Sequence, residues 1–92
     1  MTIEDVRPII VENMGDIFDS HDFIRGFKLR NRNLYDEMVE KCGSVASAHG
    51  IISIFLSNHA SALGIEKNRA GKIKSENING KIKPCAEWRK TR

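Results

Sequence analysis

The sequence predicts a mainly α-helical fold closed by a C-terminal β-hairpin, and three observations carry that reading. Apolar residues recur at three- and four-residue spacing from Ile3 to Leu63, the pattern of helices that bury one face. Beyond Gly64 the spacing gives way to two short alternating segments, Lys72-Ile73-Lys74 and Lys81-Ile82-Lys83, connected through Asn79-Gly80. An Asn-Gly pair between alternating segments is the strongest short-range hairpin signal. The charge divides at the same place: residues 1 to 63 carry six basic side chains against nine acidic, net −3, and residues 64 to 92 carry nine against three, net +6. A basic appendage therefore follows an acidic helical body. At 92 residues the chain has the length of a single domain with one modest core, which argues against a cleft between two lobes.

Four helices account for the body. Ile3, Val6, Ile10 and Met14, followed by Ile17 and Phe18, place the first over about residues 3 to 15, ending at Asn13 or Gly15, with Thr2 and Asp5 as a capping box. Pro8 leaves two possibilities, a helix kinked at Pro8 or one that starts there. Asp19 or Ser20 caps a second helix over about residues 21 to 30, with Phe23, Ile24, Phe27 and Leu29 inward. Gly26 either weakens that helix or marks a close crossing. Asn33, with Asp36 three residues on, opens a third helix over about residues 33 to 42, striped by Leu34, Met38 and Cys42, and Gly43 is its left-handed stop.

The fourth helix, over about residues 46 to 63, is the unusual one, because Ser44 to Leu63 contains no Lys, Arg, Asp or Glu. Ser44 or Ser47 caps it and Gly64 ends it. Helical projection assigns Ala48, Ile52, Phe55, His59 and Leu63, with Ile51 and Leu56, to the core. Ser47, Gly50, Ile54, Ser57, Asn58 and Ser61 point outward, a small and neutral face open to close approach. Two histidines, Asn58 and five serines argue against a membrane span. The hairpin then covers about residues 71 to 88, its return strand passing through Pro84 and Cys85 so that Trp88 folds back on the core, and a basic tail, residues 89 to 92, completes the chain.

Catalytic and cofactor motifs do not emerge. Asp16, Asp19, His21 and Asp22 crowd one segment, but a cap at Asp19 and an acid near the positive helix start at Asp22 explain them without a metal. His49 and His59 lie too far apart along one helix to share an ion. Gly64 to Lys72 departs from a phosphate loop, with Glu66 where glycine is required and Ile73 where Ser or Thr is required. Neither Cys42 nor Cys85 has a histidine neighbour in sequence to act as its base. No enzymatic activity, cofactor or small-molecule substrate is expected. The acidic start, Met1-Thr2-Ile3-Glu4-Asp5, lacks the features of a secretory signal, so a cytoplasmic location with both cysteines as thiols is expected.

A helix over Leu34 to Cys42, a tight turn Gly43-Ser44-Val45, a longer helix and then directly a basic hairpin resembles the winged helix-turn-helix group of DNA-binding domains. The resemblance spans roughly residues 21 to 92 and is one of order and turn chemistry. It implies a recognition helix after Gly43 that turns Ser47, Gly50, Ser53, Ser57 and Asn58 toward the groove of double-stranded DNA. Lys72, Lys74, Lys81 and Lys83 on the wing would meet phosphates, with Arg69 and Arg89 adding to the field. A recognition helix without Lys or Arg departs from the usual pattern of base and phosphate contacts, which implies binding of low sequence specificity, as in an accessory to transcription regulation. The second reading is an oligomerisation or adaptor module, with Gly50 and Ser61 admitting a partner protein or a second copy closely and Ile54 as apolar anchor.

Overall fold

The protein is seen in a computed structural model that describes residues 1–91, so Arg92 of the basic tail lies outside the described residues. Among the described residues five helices and five short strands follow in the order α1 (Ile3–Asn13), β1 (Ile17–Asp19), α2 (Ser20–Arg30), α3 (Arg32–Cys42), α4 (Val45–Asn58), α5 (Ala60–Leu63), β2 (Ile65–Lys67), β3 (Ile73–Glu76), β4 (Ile82–Cys85) and β5 (Glu87–Lys90). β1, β5 and β2 form a three-stranded antiparallel sheet with β5 in the middle, and β3 and β4 form a separate two-stranded hairpin. The architecture is mixed helix and sheet, richer in strand than the mainly helical expectation.

The helix starts follow from capping chemistry. Thr2 and Asp5 make the anticipated capping box, and α1 starts at Ile3 and continues through Pro8 without interruption. Pro8 costs one backbone hydrogen bond, and the burial of Val6, Ile9 and Ile10 offsets it. Asp19 and Asp22 form a second reciprocal box at α2. α3 begins at Arg32, with Asn31, two residues before Asn33, at its N-cap and making no side-chain cap bond. Gly43 (φ 83°) stops α3, and the Ser44 hydroxyl accepts from the Ser47 N–H to start α4.

Four expectations are corrected. Ile17 and Phe18, expected to continue the apolar face of the first helix, belong instead to β1, where Phe18 lies opposite Trp88, and the helix ends at Asn13, the earlier of its two expected limits. The long fourth helix breaks at His59, whose φ of −119° and ψ of 17° leave the helical range. That turn lets α5 pack on α1 and β2 while α4 packs on α2 and α3. Leu29 is 86% exposed and Ile51 47% exposed rather than buried. The return segment of the hairpin is two strands: β4 pairs with β3, and after Ala86 the chain crosses as β5 into the other sheet.

The core gathers Val6, Ile9, Ile10, Phe18, Phe23, Ile24, Phe27, Tyr35, Met38, Ala48, Ile52, Leu56, Leu63, Ile65 and Trp88. Gly26 is a close crossing. A Cβ there would stand 2.8 Å from Met14 Cε and 3.3 Å from Ile9 Cγ2, so α1 approaches α2 where no side chain separates them. Trp88 joins sheet to helices: its indole N–H donates to Ser20 Oγ (3.1 Å), and the Ser20 hydroxyl and N–H donate to the Ala86 carbonyl.

Candidate nucleic-acid interface

The hairpin turn spans Asn77-Ile78-Asn79-Gly80. The Gly80 N–H donates to the Asn77 carbonyl and the Asn77 N–H to the Lys81 carbonyl. A two-residue type I′ turn requires positive φ at both central residues, but Gly80 (φ 79°) is the only residue of the turn with positive φ. The loop is therefore the longer type in which a turn is followed by a left-handed glycine. Asn77 Oδ1 accepts from the N–H groups of Asn79 and Lys81 and holds it closed. Arg25 of α2 clamps the hairpin, its guanidinium donating to the carbonyls of Glu76 and Asn77.

Between this hairpin and the helices runs a groove of about 320 Å³. One wall is α4 through Gly50, Ser53, Ile54 and Ser57, and Lys67, Lys72, Pro84 and Cys85 line the opposite side. Part of the predicted recognition face thus meets the base of the basic hairpin. Ser47, Asn58 and Ser61 are exposed on α4 and α5, as expected, and lie outside the groove lining. Lys72, Lys74, Lys81 and Lys83 are all exposed. Among the described residues none of the four is in an ion pair. They do not share one face. Lys74 lies opposite Pro84 and Lys83 opposite Ser75, and adjacent rungs of a ladder project to opposite sides. The hairpin presents positive charge on both of its faces.

Arg69 and Arg89 are placed elsewhere. Both line a different concavity of about 530 Å³ on the three-stranded sheet, together with Ile17, Glu66 and Glu87. Arg89 is neutralised by an ion pair with Glu66 across the β2–β5 rung, and that hydrogen bond and charge hold the Glu66 carboxyl below its ordinary range. Of the two, only Arg69 is free of an ion pair among the described residues. The residue that spacing missed is Lys67: its ammonium lies 3.2 Å from Ser57 Oγ and 5.3 Å from the centre of the Trp88 ring, a cation–π arrangement at the groove. Charge alone offered a signal for it, since nothing in sequence brings position 67 beside position 57.

His49 is half-buried on α4, with Nε2 2.7 Å from the Tyr35 hydroxyl. Burial first, then the positive charge of Lys28, and then His21 hold its pKa below the ordinary 6.5, while burial raises that of Tyr35. A histidine depressed in the fold contributes stability above about pH 6.5 that is lost as pH falls through the folded value, because the unfolded chain binds the proton first. Thermal melts from pH 7.5 down to pH 5 are expected to show a falling melting temperature below about pH 6.5, and His49→Gln is expected to flatten that segment. An equally steep segment in the variant would assign it to other groups.

Comparison with known proteins adds no relative: no family model, no curated protein and no solved structure matches this chain. Among the described residues no helix is long and apolar enough to cross a membrane.

Proposed function

We propose that this chain is a winged helix-turn-helix module that binds double-stranded DNA chiefly through phosphate contacts from its hairpin. The observation that carries the reading is the groove in which the uncharged face of α4 lies beside a hairpin bearing four exposed lysines, none in an ion pair among the described residues. Two features of topology bear on it. The strand after the hairpin inserts between β1 and β2, so the hairpin projects from a sheet anchored in the core, the place a wing would occupy. α3 and α4 are joined through the turn Gly43-Ser44, one residue shorter than the three- to four-residue, often glycine-containing turn of a helix-turn-helix pair.

The test is titration of a labelled mixed-sequence duplex at 50 and 200 mM salt. Four phosphate contacts give a log–log salt slope near −3.6, so affinity is expected to fall about a hundredfold over that range. No binding at 50 mM salt would reject the reading.

A second reading has its own observation. Ile51 and Ile54 are 47% and 60% exposed on one side of α4, and apolar side chains three apart on a helix form a continuous patch. In that reading the patch meets a second copy of the chain or another protein, and the two readings are compatible because helix-turn-helix modules commonly act as dimers. Ile54→Asp is expected to convert a dimer to a monomer in sedimentation equilibrium with its circular dichroism unchanged. A wild-type chain that is already monomeric at high concentration would exclude self-association through this face.

A further inference from the structure

Where His21 and Cys85 line the groove between α4 and the hairpin, Asp19 stands beside them, so that three side chains of different chemistry come together. Asp19 precedes α2, His21 lies in its first turn and Cys85 closes β4. One ligand atom from each lies within 4.8 Å of the others, with Asp19 and Cys85 buried and His21 partly so. We infer that Asp19, His21 and Cys85 form a binding site for a zinc-class divalent transition metal that fastens the hairpin to the start of α2.

The donor set selects the metal. Thiolate and imidazole suit zinc and its neighbours, whereas magnesium and calcium take oxygen donors. Tetrahedral zinc with bonds of about 2.0 to 2.3 Å places its ligand atoms about 3.5 Å apart, so the trio closes on an ion by side-chain movements of about 1 Å. The charges match as well. One carboxylate and one thiolate balance a dication while the histidine binds neutral, so the loaded site carries no net charge into its buried surroundings.

The neighbourhood is already arranged for this. Asp19 Oδ1 accepts the Asp22 N–H at 2.8 Å, which fixes the carboxylate, and its other oxygen accepts no hydrogen bond among the described residues. Ser75 Oγ lies 2.6 Å from His21 Nδ1 and 3.5 Å from Cys85 Sγ, tethering both from β3. The Ser75 hydroxyl or a water from the groove completes four-coordination. His21 and Cys85 both line the groove, which supplies an entry path for the ion. The consequence is mechanical: the basic hairpin meets α2 through Arg25 at its turn and through Ser75 on β3, and a metal would add a third attachment through Cys85 at the open end of the ladder.

The test is titration of the metal-stripped, reduced full chain with Co²⁺, followed by competition with Zn²⁺. The expected result is a thiolate-to-cobalt charge-transfer band and tetrahedral ligand-field bands that saturate at one equivalent and vanish on adding Zn²⁺, with no spectral response to Mg²⁺ or Ca²⁺. Cys85→Ser and His21→Gln are expected to abolish the charge-transfer band and the tetrahedral spectrum respectively, and Cys42→Ser to leave both intact. Asp19→Asn, which keeps a capping oxygen for α2, is expected to weaken binding at least tenfold. The wild-type titration is decisive even where a variant folds poorly: absence of a charge-transfer band at one equivalent overturns the site. A band that survives Cys85→Ser, or disappears with Cys42→Ser, overturns it equally.

Discussion

Replacing Lys72, Lys74, Lys81 and Lys83 together by Gln is expected to abolish duplex binding at 50 mM salt and leave the melting temperature essentially unchanged. All four are exposed, and among the described residues none is in an ion pair, so their charges cost the fold little to remove. Most nonspecific affinity for DNA comes from counterions released as cations meet phosphates, and removing one lysine–phosphate pair lowers the salt slope by about 0.9. The ladder register refines this. Lys74 and Lys83 project from opposite faces of the hairpin, and Lys72 lines the groove beside α4. Comparing Lys72→Gln/Lys74→Gln with Lys81→Gln/Lys83→Gln in the same salt series therefore reveals the face that meets the duplex. The pair that includes the groove-lining Lys72 is expected to lose more affinity, and the reverse order would place the duplex on the other face. A quadruple variant that binds as tightly as the wild type would remove the hairpin from the interface.

Trp88→Ala is expected to be among the most destabilising single substitutions, costing about 3–5 kcal/mol. Trp88 is 1% exposed at the centre of the sheet in β5, stands opposite Phe18 on one side and Lys67 on the other, and donates to Ser20. Truncation would open a cavity between sheet and helices and remove the link from β5 to α2. Against a total of about 5–15 kcal/mol for a domain, that loss leaves little margin. Trp88→Phe keeps most of the apolar ring and loses the indole donor, so about 1 kcal/mol of its cost comes from that hydrogen bond. Urea unfolding followed by circular dichroism measures both. An alanine variant with a wild-type midpoint would show that the sheet is not held through this residue.

The hairpin lysines and the sheet around Trp88 were unequally visible in the sequence. The lysines were legible because alternation with Ile73 and Ile82 around Asn79-Gly80 marks a hairpin from local pattern alone. Their division between two faces was not, because it depends on register, and the extra residues of the turn set that register. β1 and β2 have three residues each, too few to establish a period of two. Ile17 and Phe18 continue the helical spacing of α1, so spacing alone does not separate them from it. Both strands exist because β5 lies between them and supplies their hydrogen bonds. The meeting of Asp19 and His21 with Cys85 was equally out of reach: the first two read as cap and helix start, and the thiol arrives only when β4 folds against α2.

Local chemistry thus determined the helix boundaries set by Thr2, Asp19, Gly43 and Ser44, the buried faces of α1 and α2 apart from Leu29, the uncharged character of α4 and the basic hairpin. These follow from periodicity and capping, which act within a few residues. Tertiary structure decided the three-stranded sheet, the break at His59, the exposure of Ile51, the pairing of Arg89 with Glu66 and the groove that joins α4, Lys67 and the hairpin. Each of those depends on contacts between residues distant in sequence, and the spacing of residues along a chain carries no record of which distant partner will arrive.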